Sequence, residues 1–114
     1  MKQGQSRENQ PLVLEAGQAV GRRPLLNGPP HTRGMRCGCV ALEQGQEVGQ
    51  HSTKGHEEVL VILEGAGVVR LEGRNDLPVH AGSIAYVPPH TTHNVVNAQA
   101  ARLRYVYIVA PAAG

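Results

Sequence analysis

From Met35 onward the chain alternates short apolar runs with breaks rich in glycine, proline and asparagine. Val59-Leu60-Val61-Ile62-Leu63 is the strongest run and is apolar at every position. A strand reads this way when both faces are covered, here by an interior on one side and a second layer or subunit on the other. Gly45, Lys54-Gly55 and Gly65-Ala66-Gly67 punctuate the pattern. Strands are expected over 35–42, 47–53, 57–63, 68–72, 77–80, 84–87, 93–97 and 102–109. No helical period of useful length is visible. Many short strands separated by turn signals predict an all-β sandwich or barrel.

The first thirty residues differ. They are polar, rich in glycine and proline, and end in Asn27-Gly28-Pro29-Pro30. They are expected to form an N-terminal arm over 1–30, with one candidate strand at 12–15, ahead of a barrel domain over 31–114. A chain of 114 residues suits one domain. With no Phe or Trp, the core must rest on Val, Leu, Ile and Ala, which favours strands.

Charge excludes little. The net charge is +2, and no basic stripe is interleaved with aromatics, which argues against nucleic acid as a partner. No apolar run approaches a membrane span, and Met1 to Gln10 lack the apolar core of a signal peptide, so a cytoplasmic protein is expected. Cys37 and Cys39 are too close for an unstrained disulfide along one strand and are expected as reduced, buried thiols, with thiolate metal ligation as the sharper alternative.

The chemistry gathers around four histidines, 51, 56, 90 and 93. If Lys54-Gly55 is a two-residue hairpin turn, Thr53 pairs with His56 and His51 with Glu58, and all four side chains share one face. That face continues into Leu60 and Ile62, so the polar cluster points toward an apolar interior. Buried imidazoles and a carboxylate need partners, and Fe, Mn, Ni, Co or Zn would supply them. A solvated polar strand end is the plainer alternative.

Gly45, His51, Thr53, Glu58 and Gly65 match the spacing of the first cupin motif, and Gly82, Pro88, His90, His93 and Asn97 match the second. Over about residues 35–109 the chain therefore resembles a small single-domain cupin. The resemblance implies a double-stranded β-helix barrel of two facing sheets, with a divalent metal ion on His51, Glu58 and His93. It places the first two on adjacent strands and the third on the opposite half of the barrel. It also implies a homodimer and a small-molecule ligand or substrate.

Two positions depart from the family pattern. Thr53 stands where the motif has its second histidine, and His56 is a candidate replacement. His90 stands at the motif's usual glycine, where a positive φ is mildly unfavourable for histidine; an exposed turn residue is expected. Arg102 and Arg104 are expected at the surface, with entry of one into the barrel as the alternative. Tyr105 and Tyr107 read as packing or subunit contacts, Tyr86 as a candidate pocket wall, and His31 and His80 as surface residues. Cupins include enzymes, sensors and storage proteins, so the fold does not choose a reaction. The expectation is a metal-dependent enzyme acting on a small oxygen-donor molecule, such as an oxygenase, isomerase or decarboxylase; the alternative is a non-catalytic ligand- or metal-binding module.

Overall fold

A computed structural model describes residues 9–113. Among these residues nine strands run in order: β1 (Gly21–Asn27), β2 (Arg36–Leu42), β3 (His51–Ser52), β4 (His56–Glu64), β5 (Ala66–Leu71), β6 (Leu77–His80), β7 (Ile84–Val87), β8 (Thr92–Val96) and β9 (Leu103–Pro111). No helix occurs among the described residues, so none is long and apolar enough to cross a membrane. The strands form two antiparallel sheets, β1-β2-β9-β4-β7 and β3-β8-β5-β6. This is the all-β double-stranded β-helix barrel.

Side-chain alternation explains how the sheets close on one another. On β4, Glu58, Leu60 and Ile62 are buried while Val59 and Val61 are half-exposed. On β9, Leu103, Tyr105 and Tyr107 turn inward. With Val40, Leu42, Val69, Val79, Ala85 and Val95 they fill the space between the sheets. Asn97 is fully buried beneath this core; its Nδ2 donates to the carbonyls of Leu42 (2.9 Å) and Ala101 (3.0 Å), and its Oδ1 accepts from Gln99 N–H (2.9 Å).

The N-terminal segment departs from expectation in detail. Residues 12–15 form no strand, but β1 does form and pairs with β2. Pro24 hid it: proline within a run argues against a central strand, yet β1 is an edge strand, where the missing N–H is tolerated. The preceding residues lie against the outside of the β2–β9 sheet. The Cys39 thiol donates to Ala16 O (2.6 Å), and Arg102 donates to Gln18 O (2.5 Å). Arg102 also pairs with Glu43 (2.9 Å) and Arg104 with Glu64 (2.9 Å), so both arginines face outward. Both cysteines are free thiols; Cys39 is buried and Cys37 half-buried.

Candidate metal centre

Three of the anticipated residues meet at the mouth of the barrel, with Glu58 and His93 buried and His51 exposed. His51, Glu58 and His93 each present one ligand atom, and these atoms lie within 4.8 Å of one another. His93 Nε2 is 3.0 Å from Glu58 Oε1. That is the separation of two neighbouring ligands around one ion bound at about 2.1 Å. The His51 and His93 rings sit side by side, with centroids 4.3 Å apart.

The backbone fixes the free nitrogen of both rings. His93 Nδ1 is 3.1 Å from Thr91 O, and His51 Nδ1 is 2.9 Å from Gly49 O. With Nδ1–H donating to a carbonyl, Nε2 carries the lone pair that faces the cluster. Burial pushes the His93 pKa down, but the Glu58 carboxylate and the Thr91 carbonyl outweigh it, and the net direction is up. A cation binding there would compete with the proton that this environment favours on His93. Two imidazole nitrogens and one carboxylate oxygen form a donor set that suits a divalent transition metal and leaves coordination positions open.

The route by which these residues meet differs from the expected hairpin. Lys54-Gly55 does turn, with His56 N–H donating to Thr53 O (3.1 Å). Lys54 takes a positive φ there, at 53°. The turn is a corner between sheets. β3 pairs with β8, which sets His51 opposite His93, while β4 pairs with β7 and β9. His51 and His93 are therefore the neighbours on adjacent strands, and Glu58 reaches them from the facing sheet. Burying Leu60 and Ile62 between two layers outweighs extending a short hairpin.

His56 lies outside the cluster. It pairs with Pro111 at the far end of β9 and does not line the cavity. Thr53 is committed elsewhere: its hydroxyl donates to Pro88 O (2.6 Å) and accepts from Thr91 N–H (3.0 Å). His90 is exposed at φ 55°, and its N–H donates to Lys54 O (2.8 Å). His31 and His80 are exposed. Tyr86 is not a pocket wall; it faces outward and its hydroxyl donates to Glu57 (2.8 Å).

The cluster opens into a cavity of about 260 Å³. Tyr105, Tyr107, Leu60, Val95 and Val109 line its apolar part. Burial pushes the Tyr105 phenol well up, with the Glu58 charge adding to it, and burial also raises Tyr107. Arg22, Asn27 and Arg36 complete the wall. None of these three was singled out from sequence as a cavity residue. In the sequence Arg22-Arg23 is a basic pair within a polar segment, and strand alternation, which sends Arg22 and Pro24 to one face, is the available signal.

The sequence profile of the cupin domain matches residues 38–109. The chain belongs to the cupin family. This cupin is 27% identical over 79 residues to the oxalate-binding protein of Thermotoga maritima, covering 69% of this chain and 64% of that one, so it spans less than two thirds of that relative. Its fold is similar to that of an RmlC-like cupin with a double-stranded β-helix from Methanocaldococcus jannaschii (TM-score 0.73, 20% identity, 88% of this cupin and 87% of the other). It is also similar to a predicted oxalate decarboxylase of Thermotoga maritima (TM-score 0.65, 19% identity, 88% of this cupin and 99% of the other).

Proposed function

We propose that this cupin binds a divalent metal ion through His51, Glu58 and His93 and, with it, a small oxygen-donor organic ligand of the carboxylate class. The convergence of three ligand atoms from two sheets on one cavity carries this reading. The oxalate-binding relative supports the ligand class. A bound metal supplies a Lewis acid that polarises a carbonyl or carboxylate oxygen. The chain's own residues hold the ring tautomers, wall off water with Tyr105, Leu60 and Val95, and keep Tyr105 and Tyr107 as protonated donors.

Elemental analysis of the purified protein tests the site. Near-stoichiometric metal is expected in the wild type and in His56→Ala, and its loss in His93→Ala. A wild type that refuses Fe, Mn, Ni, Co and Zn would overturn the reading.

Turnover and simple binding are separated by one observation. Glu58 is the only carboxylate among the described cavity-lining residues, and no lysine or further histidine joins it. With Glu58 engaged as a ligand, no free general base remains at the wall, which favours binding over catalysis. Consumption of an oxalate or 2-oxo acid ligand on incubation with the metal-loaded protein would reverse that preference.

We also propose a homodimer through the outer face of the β4–β7 sheet. Ile84 (71% exposed), Tyr86 (52%) and Leu63 (41%) project there. Sedimentation equilibrium is expected to give a dimer that Ile84→Glu weakens; a wild-type monomer at high concentration would refute it.

A further inference from the structure

The cavity has two chemically different ends. Register across the β1-β2-β9-β4-β7 sheet places Asn27, Arg36, Val109 and Glu58 in one row, because each is paired with the next. Arg36 and Glu58 are thus two strand spacings apart, about 10 Å between backbones. Arg22 starts further along the edge strand, paired with Val40, and its guanidinium lies over the Tyr107 ring at 4.9 Å from the centroid. This placement is built into the sheet. Gly38 sits beneath the Tyr107 ring, where a Cβ would come within 2.6 Å of both that ring and Arg23 O. Only a residue without a side chain lets the phenol lie across β2 and form the shelf on which Arg22 rests.

Arg70, Arg102 and Arg104 each have a carboxylate partner. Arg22 and Arg36 form no ion pair among the described residues, yet both line the cavity. Stacking on an aromatic face orients a guanidinium while leaving its N–H donors free for a planar anion. With a divalent ion at the cluster, two guanidinium groups and that ion face a single cavity carboxylate. A dianion offsets more of the surplus positive charge than a monoanion does.

We infer that Arg22 and Arg36 read the end of the ligand remote from the metal, so that this site selects a small organic dianion carrying one carboxylate at the His51–Glu58–His93 cluster and a second at the arginine end. This rests on the proposed metal centre and deepens it: Arg22 and Arg36 determine specificity, and Tyr107 and Gly38 position Arg22. The size of the cavity limits the ligand to a few carbon atoms between the two groups.

Isothermal titration of the Mn²⁺-loaded protein tests this, using oxalate, malonate, succinate and glutarate beside the monocarboxylates acetate and butyrate. The proteins are the wild type, Arg22→Gln, Arg36→Gln, Arg22→Lys and, as a charge-matched control away from the cavity, Arg74→Gln. Removing either guanidinium, with the charge-assisted hydrogen bonds it makes, is expected to weaken the best dicarboxylate roughly 10- to 100-fold. Monocarboxylate affinity and metal content are expected to stay unchanged, and Arg74→Gln to behave as wild type. Arg22→Lys should recover only part of the affinity, since it keeps the charge and not the fork. Undiminished dicarboxylate binding in both Gln variants, or an equal weakening in Arg74→Gln, would overturn the inference while leaving the metal site standing. A protein that takes up no metal would instead strike the metal reading. In that case thermal stabilisation of the metal-free wild type by dicarboxylates, absent in the Arg22→Gln/Arg36→Gln double variant, would still uphold the arginine end. No stabilisation of the wild type by any dicarboxylate would overturn it.

Discussion

Replacing Thr53 with valine separates two roles for a position that a family histidine would otherwise occupy. Valine keeps the shape of threonine and deletes only the hydroxyl. Thr53 is buried, at 8% exposure, and its hydroxyl joins the β3–β4 corner to the loop that leads into β8. Deleting it strands two backbone groups, Pro88 O and Thr91 N–H. Each stranded group costs about 1 kcal/mol where water reaches it in part, since Pro88 and Thr91 are half-buried. The total is about 2 kcal/mol, which for a chain of this length lowers the thermal midpoint by roughly 10 °C. Metal content measured well below that midpoint is expected to remain that of the wild type, because the hydroxyl donates to a carbonyl and is not directed at the cluster. Differential scanning calorimetry paired with elemental analysis reads both quantities. Loss of metal with an unchanged midpoint would make Thr53 a ligand and refute the assignment. An unchanged midpoint with full metal would show that the hydroxyl braces nothing.

Other consequences are open to the same treatment. Asn97→Ala leaves the buried Leu42 carbonyl, and the part-buried Ala101 carbonyl and Gln99 N–H, without their partner, and urea titration should show a loss of roughly 2 kcal/mol. Gly38→Ala should displace the Tyr107 ring, costing about 1–3 kcal/mol and altering the near-ultraviolet circular dichroism; an unchanged spectrum would contradict the shelf under Arg22. In the metal-free protein the His93 pKa is raised above its unfolded value, so its contribution to stability is complete below about pH 6.5 and is lost as pH climbs through the folded value. Unfolding in EDTA between pH 5.5 and 8.5 should therefore show a decline that His93→Ala abolishes. The buried phenols of Tyr105 and Tyr107 are also raised, so stability should fall again above about pH 10, with phenolate absorbance appearing together with unfolding rather than before it.

Much of this was legible because it is local. The alternation of Glu58, Leu60 and Ile62 along β4, and the spacings that carry His51, Glu58 and His93, depend on neighbours in the chain. What escaped depends on partners distant in sequence. A turn at Lys54-Gly55 looks the same whether the chain folds back on its own strand or crosses to a facing sheet; only the competition of β8 for β3 decides it. Tyr86 misled for a related reason. On β7 the smaller Ala85 and Val87 are buried and the larger Ile84 and Tyr86 exposed, so side-chain size pointed the wrong way and register decided. Arg22 lay in a segment whose polarity and proline concealed an edge strand, and its stacking partner is more than eighty residues away.

β9 lies at the centre of its sheet, between β2 and β4, although it is the last of the described strands. During synthesis the other eight strands leave the ribosome while the place between β2 and β4 stands vacant. Val109, Tyr107 and Tyr105 arrive together with that strand, so the cavity wall and the closure of the barrel are completed in one event. A nascent chain stalled before residue 103 already carries His51, Glu58 and His93, but it lacks the strand that joins β2 to β4 and exposes two unpaired strand edges to its neighbours. The metal ligands are thus made before the sheet that frames them can close, and only the arrival of β9 covers both edges at once.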